Sequence, residues 1–437
     1  MATGVVATGG LRAEETGNNR NATSPANERI RVAFVGVSNR GMQLVDAFRK
    51  TGDPRLEIVA LCDVYAPARD AAAEKLGIPA GNCYTDFRKL YERRDIDAVV
   101  LATPDHWHAI QTVDACAAGF DVYVEKPLAM TVVEGRRMVQ AARKFNRIVQ
   151  AGIHRRSSGT YQRAAQLIAD GYIGKVTVSR AYRISNMAPA GIGRAQPTEP
   201  PEGLDWDLWQ GPGPARPWQA NITPYKFRWW SRYSSQMANW GIHYLDAIRW
   251  LTGENAAESV CTLGGVYAVD DDRTIPDTLQ AIWTFPSGRL ATFGQYEGTG
   301  TDALPFGAEL ELRGTRGTMY LTGWGKSITV VPSRPGQFQT DRGNRCEPMD
   351  ETVDTKDATI ANAQNFLDCI VSRERPVADV ETAHLSTVLA QIGNISLSVG
   401  ELLRWDATAE RFVGTSADAA NAMLHYEYRA PWKLMEL

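Results

Sequence analysis

Residues 29–41 read RIRVAFVGVSNRG. From Ile30 to Val35 the run is almost wholly apolar, as in a strand covered on both faces rather than one. Gly36 and Gly41 then bracket a short turn, and MQLVDAFRKTG continues with helical spacing to a closing glycine. The same grammar repeats downstream. LEIVALCDV, IDAVVLATP, DVYVEKP and RIVQAG read as strands, and APARDAAAEKLG, HAIQTVDACAAG and VVEGRRMVQAARKFN as the helices between them. Strands alternating with helices at these lengths predict an α/β Rossmann domain, a doubly wound parallel sheet, over residues 29–150.

At 437 residues the chain is too long for one ordinary core. After Gly152 the pattern changes. Hairpin signals in TLQAIWTF–PSG–RLATFGQY and AELELRG–TRG–TMYLTG predict a C-terminal α+β domain with a large, open, mainly antiparallel sheet over 151–437. NAQNFLDCIVS and HLSTVLAQIGNISLSVGELLRW read as helical. Residues 1–28 pass from small apolar residues to a polar, patternless stretch, a leader remnant followed by a disordered tail. That order resembles a twin-arginine leader without its arginine pair and predicts a periplasmic, exported protein; a cytoplasmic protein with a flexible tail is the alternative.

A net charge of −3 argues against a nucleic-acid partner, and no apolar run approaches the roughly 20 residues that span a bilayer. Six cysteines without CxxC or Cys/His spacing predict buried free thiols and no metal site.

The turn Gly36-Val37-Ser38-Asn39-Arg40-Gly41 departs from GxGxxG only in Ser38. A strand before it and a helix after it make it a phosphate cradle on a helix N-terminus. Asp63 ends the second strand, 22 residues beyond Gly41. An acid there accepts from adenosine ribose hydroxyls and repels a 2′-phosphate, favouring NAD over NADP. ATPDHWHA, at the end of the third strand, puts Thr103, Pro104, His106 and His108 beside the cofactor, because ligands lie beyond the carboxyl ends of such strands. An HxH pair without a third ligand hydrogen-bonds or packs more often than it binds metal.

GVSNRG, Asp63, ATPDHWH and above all Glu125-Lys126-Pro127 resemble the glucose–fructose oxidoreductase/inositol dehydrogenase family, Gfo/Idh/MocA. The resemblance implies an open sheet facing the nicotinamide, with Lys126 near that ring and the reacting hydroxyl. Glu125 then orients the lysine, and Pro127 fixes the turn with an unusual peptide geometry. The family pattern also carries an aspartate four residues before a histidine. In NWGIH the histidine is kept as His243, while Asn239 replaces the acid and Asp246 follows one turn on. His243 is therefore expected as proton acceptor or partner of Lys126. Asn239 is expected to position a hydroxyl or steady His243, without raising its basicity as a carboxylate does, and Asp246 to be structural.

Six of the twelve tryptophans fall between residues 206 and 240. A long aromatic loop acts as a binding element or lid, and flat rings pack on sugar C–H faces. Trp206 and Trp230, with His154, Arg155 and Arg156 where the domains meet, are the substrate candidates.

Three functions fit. The first is an NAD-dependent oxidoreductase oxidising a hydroxyl of a sugar, polyol or glycoside by hydride transfer, with Lys126 and His243 moving the proton. The second is a redox-neutral NAD-dependent glycosidase or lyase, working through transient ring oxidation and elimination. The third is a non-catalytic regulator that senses nucleotide, against which both retained residues weigh. An exported enzyme has no cofactor pool, so a tightly bound NAD is expected. The open sheet predicts a homodimer or homotetramer.

Overall fold

A computed structural model describes residues 29–322, 325–336, 344–353 and 355–437; the predicted leader remnant lies outside them. The parallel sheet has six strands: β1 (Ile30–Val35), β2 (Leu56–Cys62), β3 (Cys83–Tyr84), β4 (Ala98–Leu101), β5 (Asp121–Val124) and β6 (Val149–Ala151), in the order β3-β2-β1-β4-β5-β6. That is a doubly wound order with its switch point between β1 and β4. Register brings Val35 opposite both Cys62 and Leu101, so the residues that follow, Gly36, Asp63 and Ala102, share one edge. Strand β3 was not anticipated; two residues carry no readable period. It makes the EKP strand the fifth rather than the fourth.

The second sheet has ten strands: β7 (Val176–Ile184), β8 (Ser259–Gly265), β9 (Thr278–Thr284), β10 (Leu290–Tyr296), β11 (Leu310–Gly314), β12 (Gly317–Thr322), β13 (Ser327–Pro332), β14 (Met349–Thr352), β15 (Leu403–Asp406) and β16 (Arg411–Val413). Their order is β14-β13-β12-β11-β7-β10-β9-β8-β15-β16. Among the described residues of this sheet, only β7 and β10 pair in parallel. The inner face, with Leu279, Ala281, Trp283 and Phe293, packs on the helices Ile242–Thr252 and Val380–Val399. The second of these ends at Gly400 in the left-handed conformation, so LLRW, expected as helix, enters β15 instead.

The chain does not divide cleanly at residue 150. Helix Ala358–Ser372 returns to the nucleotide-type sheet, where Phe366 packs edge-on against Phe48 and Tyr123. Asn362 donates to the Tyr123 hydroxyl at 3.0 Å. Tyr428 and Trp432 also pack on that domain, so the C-terminal third belongs partly to the first core. All six cysteines are free thiols, and four of them are buried.

Candidate active site

A cavity of about 830 Å³ lies between the two sheets and takes in the carboxyl ends of β1, β2, β4 and β5, within the size range of small-molecule and cofactor sites. At its first corner Gly36 has φ +81°, and a Cβ there would lie 2.8 Å from the Ala102 carbonyl. A Cβ on Gly41 would lie 1.8 Å from the Gly36 carbonyl. Both glycines are thus required, and helix Asn39–Lys50 starts hard against the strand end. Ser38 occupies the N-cap without capping through its side chain. Ser38, Asn39 and Arg40 face the cavity, with the helix's unpaired N–H groups behind them.

Asp63 is buried. It accepts from the Val37 N–H at 2.8 Å and the Tyr65 N–H at 2.9 Å. Burial raises its pKa, and these bonds oppose the rise. The acid thus fixes the glycine turn while lining the cavity. Glycines that admit no Cβ, a helix N-terminus and a fixed carboxylate fit an adenine dinucleotide.

Glu125 and Lys126 follow β5. The Lys126–Pro127 peptide is cis. Glu125 does not hold the lysine's ammonium; its Oε1 accepts from Arg40 Nε at 2.7 Å, and its Oε2 from the Lys126 backbone N–H at 3.2 Å. Burial opposes the Glu125 charge, but Arg40 and Lys126 hold the carboxyl below the usual range. Gly152 leaves room for it, since a Cβ there would come within 3.0 Å of the carboxylate. Arg40, expected at the cofactor, is therefore also an internal tie.

Lys126 Nζ donates to Asn239 Oδ1 at 2.7 Å and to the Asn239 carbonyl at 2.9 Å. Asn239 sits in a π-helical turn, Met237–Gly241, that leads into helix Ile242–Thr252. Such a turn, often found at functional sites, interrupts the α-helical ladder, and the Asn239 carbonyl accepts from the lysine. Asn239 therefore positions Lys126. Of the two roles expected for it, holding a hydroxyl or steadying His243, the second is not seen: its amide N–H donates to Gln236 at 3.3 Å. Burial pushes the Lys126 pKa down to about 8, against the pull of Glu125.

His243 and His154 face one another across the cleft wall, ring centroids 4.9 Å apart. Burial, then the Arg155 charge, hold both rings neutral: His154 falls to about 4 and His243 lies well below its ordinary value. In each ring Nδ1 is buried and, among the described residues, has no hydrogen-bond partner. Arg155 is committed to Glu309 at 2.6 Å and Tyr161 at 2.9 Å. Arg156 pairs with Asp246 at 2.9 Å, the structural role expected for that acid.

Thr103 and Pro104 border the cavity, but His106 and His108 turn away from it. His106 Nε2 meets the Trp209 carbonyl at 2.9 Å; His108 bridges the Pro127 and Thr103 carbonyls at 2.7 and 2.9 Å. The residue between, Asp105, faces the cavity instead, buried and bonded to the Ser234 hydroxyl. A 3₁₀ turn over Asp105–Trp107 sets this phase. Asp105, which precedes the two histidines, carries no signal of its own in the sequence.

Trp206 and Trp230 do not line the cleft. Trp206 stacks on Trp209 at 4.8 Å, and Trp230 is buried under Arg216, its indole N–H bonded to the Asn221 carbonyl at 2.9 Å. Trp209, Trp218 and Trp240 are the ones of the six that reach it, with Tyr225 and Arg228. An aromatic-rich composition could not tell these rings apart. The same loop is sewn to the first domain. Ala66 N–H donates to Gly203 at 2.8 Å, Asp205 N–H to Val64 at 2.9 Å, and the Trp107 indole to Trp209 at 3.1 Å.

Three family models match the chain: an oxidoreductase-family NAD-binding Rossmann fold over residues 30–153, a GFO/IDH/MocA C-terminal domain over 161–320, and an oxidoreductase-family C-terminal alpha/beta domain over 336–434. Glycosyl hydrolase family 109 protein 1 of Shewanella sp. (strain ANA-3) is 36% identical over 128 residues, 28% of each chain. The 1,5-anhydro-D-fructose reductase of Ensifer adhaerens is 32% identical over 160 residues, 36% of this chain and 46% of the reductase. These stretches thus span less than half of either relative. Levoglucosan dehydrogenase, solved with NADH and levoglucosan, shares the fold with a TM-score of 0.66 and 16% identity over 86% of this chain and 99% of that one.

Proposed function

Because the chain belongs to the Gfo/Idh/MocA oxidoreductase family, we propose that it oxidises a hydroxyl of a sugar, polyol or glycoside with NAD. The observation that carries this reading is a lysine of lowered pKa held by Asn239 in one cavity with a neutral histidine and a glycine turn. The Gly36–Gly41 turn, Asp63 and the Thr103–Pro104 corner would hold the dinucleotide. Asp63 favours NAD over NADP, because its carboxylate repels a 2′-phosphate. When bound, the nicotinamide accepts a hydride from the carbinol carbon. Near neutral pH Lys126 is partly the free amine, so it can take the hydroxyl proton as the carbonyl forms. Asn239 keeps Nζ aimed and itself takes up no proton. His243 accepts a hydrogen bond from the same or a neighbouring hydroxyl; its depressed pKa makes it the lesser proton carrier.

A second reading is favoured by the loop sewn over Val64–Ala66. It covers the corner where the adenosine would lie and slows exchange, as a cofactor retained through redox-neutral turnover requires. The family 109 relative supports the same reading by its name. Transient oxidation at one ring carbon would acidify the neighbouring C–H. Lys126 or His243 would remove that proton as the glycosidic bond breaks and pass it to the departing aglycone oxygen. Water would then add to the unsaturated ring, and the same hydride would return to the oxidised carbon, leaving no net redox change. An exported location belongs with this reading. Self-association belongs to the proposal too, since Leu263, Ile282, Leu290 and Val331 are exposed on the outer face of the ten-stranded sheet, where a second copy would cover them.

The test is to offer sugars, polyols and aryl glycosides to the NAD-loaded protein. Reduced cofactor accumulating in solution supports the first reading, and aglycone release without net reduction the second. Turnover that survives Lys126→Ala contradicts both.

A further inference from the structure

We propose that the carbohydrate taken by this site is an acidic one, a hexuronate or similar sugar carboxylate, and that Arg228 is the residue that reads its carboxylate. The inference rests on the carbohydrate reading above and narrows its substrate class.

Arg228 lies in the short turn Lys226–Trp229, in the wall of the cavity. Its guanidinium is stacked over Tyr225 at 4.2 Å and Phe227 at 4.5 Å, and its Nη1 donates to the Tyr225 carbonyl at 3.0 Å. Those contacts fix the side chain but use one of its five N–H donors. Among the described residues no carboxylate pairs with it. The other cleft arginines differ: Arg40 is bound to Glu125 at 2.7 Å, and Arg155 to Glu309 at 2.6 Å. A half-buried, stacked guanidinium with a free fork matches a ligand carboxylate in two-point geometry.

Its position names the end of the cavity it serves. The Arg228 charge is felt at Lys126 and at Asp105, which border the reacting end. Asp63, at the opposite corner, is governed by its own burial and by neighbouring backbone groups. With Glu125 neutralised by Arg40 and Glu309 by Arg155, the reacting end is left with two cations, Lys126 and Arg228, against Asp105. Burial draws Asp105 toward its neutral acid, and its bond goes to Ser234. Surplus positive charge in a walled cleft favours an anionic ligand. Tyr225 and Trp240 offer flat faces for the sugar ring beside that charge.

The experiment uses the full chain, titrated first with NAD and then, NAD-loaded, with D-glucuronate, D-galacturonate and D-mannuronate, each against its parent hexose. Emission of the cleft tryptophans and calorimetry report binding, so no turnover is needed. At least one uronate is expected to bind about tenfold or more tightly than its hexose. Arg228→Gln should abolish that preference with NAD affinity unchanged, and Arg228→Lys should keep part of it. The proposal is overturned if no uronate is preferred, if neither sugar class binds, or if Arg228→Gln keeps the preference. It is also overturned if that variant loses NAD affinity instead, since Arg228 would then serve the cofactor's phosphates. NAD binding without a uronate preference removes only this inference; a chain that binds no NAD removes the oxidoreductase reading with it.

Discussion

Replacing Asn239 by aspartate would put a carboxylate where the family pattern has one, with almost no change in shape. Lys126 Nζ stands 2.7 Å from the Asn239 side-chain oxygen. Two unit charges at that separation attract by about 6 kcal/mol at an effective dielectric constant near 20. Desolvating the new carboxylate cancels much of this, and opposite charges in such contact raise a basic pKa by roughly one to three pH units. Lys126, now at about 8, would then be almost wholly protonated at pH 8, and the amine available to accept a proton would fall to roughly a tenth or less of the lysine. Carbon-13 NMR of lysine Cε measures this without a substrate, with the Lys126 signal assigned by its loss in Lys126→Met. The Asn239→Asp protein should titrate at distinctly higher pH than the parent. A Lys126 signal that titrates at the same or lower pH would refute the view that the Asn239 contact governs the lysine.

Three further outcomes follow from the same geometry. Gly36→Ala forces a Cβ to within 2.8 Å of the Ala102 carbonyl at a φ of +81°; it should cost about 1–3 kcal/mol in urea unfolding and abolish nucleotide binding, and a variant that keeps both would contradict the turn's role. Asp63→Asn removes the charge that disfavours a 2′-phosphate, so parallel titrations should show the ratio of NADPH to NADH affinity rising about tenfold or more. Burial holds His106 at about 4. Below its ordinary value of 6.5 the unfolded chain therefore binds the extra proton, and stability is lost as pH falls from about 6.5 to 4. His106 alone contributes about 3 kcal/mol, and the partly exposed His154, also at about 4, adds less. Urea midpoints across that range should fall less steeply in His106→Gln, and equal slopes would refute the assignment.

The nucleotide-type domain was legible because a parallel sheet covered on both faces writes itself as continuous apolar runs, and because Gly36 and Gly41 have a steric reason to be glycine. Lys126, Asn239 and His243 were singled out by the resemblance of EKP and NWGIH to the family pattern, and all three line the cavity. Other features depended on contacts far apart in the chain. The helix Ala358–Ser372 announces a periodic face but not the sheet it covers. ATPDHWHA draws attention to its histidines, yet the 3₁₀ turn rotates both away and presents Asp105. Among the tryptophans, Trp206 and Trp230 pin the loop while Trp218 and Trp240 face the cavity, a difference set by side-chain direction that composition does not encode. Arg228 stands out only beside the other two arginines of the cavity wall, Arg40 and Arg155, each of which is tied to a carboxylate.

Oxidoreductase chemistry at this site requires a redox dinucleotide between the two sheets with Lys126 at its reacting end. Titrating the nucleotide-depleted protein with NADH, and following energy transfer from cleft tryptophans to the reduced nicotinamide, tests this directly. Saturable binding at a single site per chain, reversed by NAD, is the expected result. No saturable transfer, or transfer that NAD fails to reverse, would contradict it.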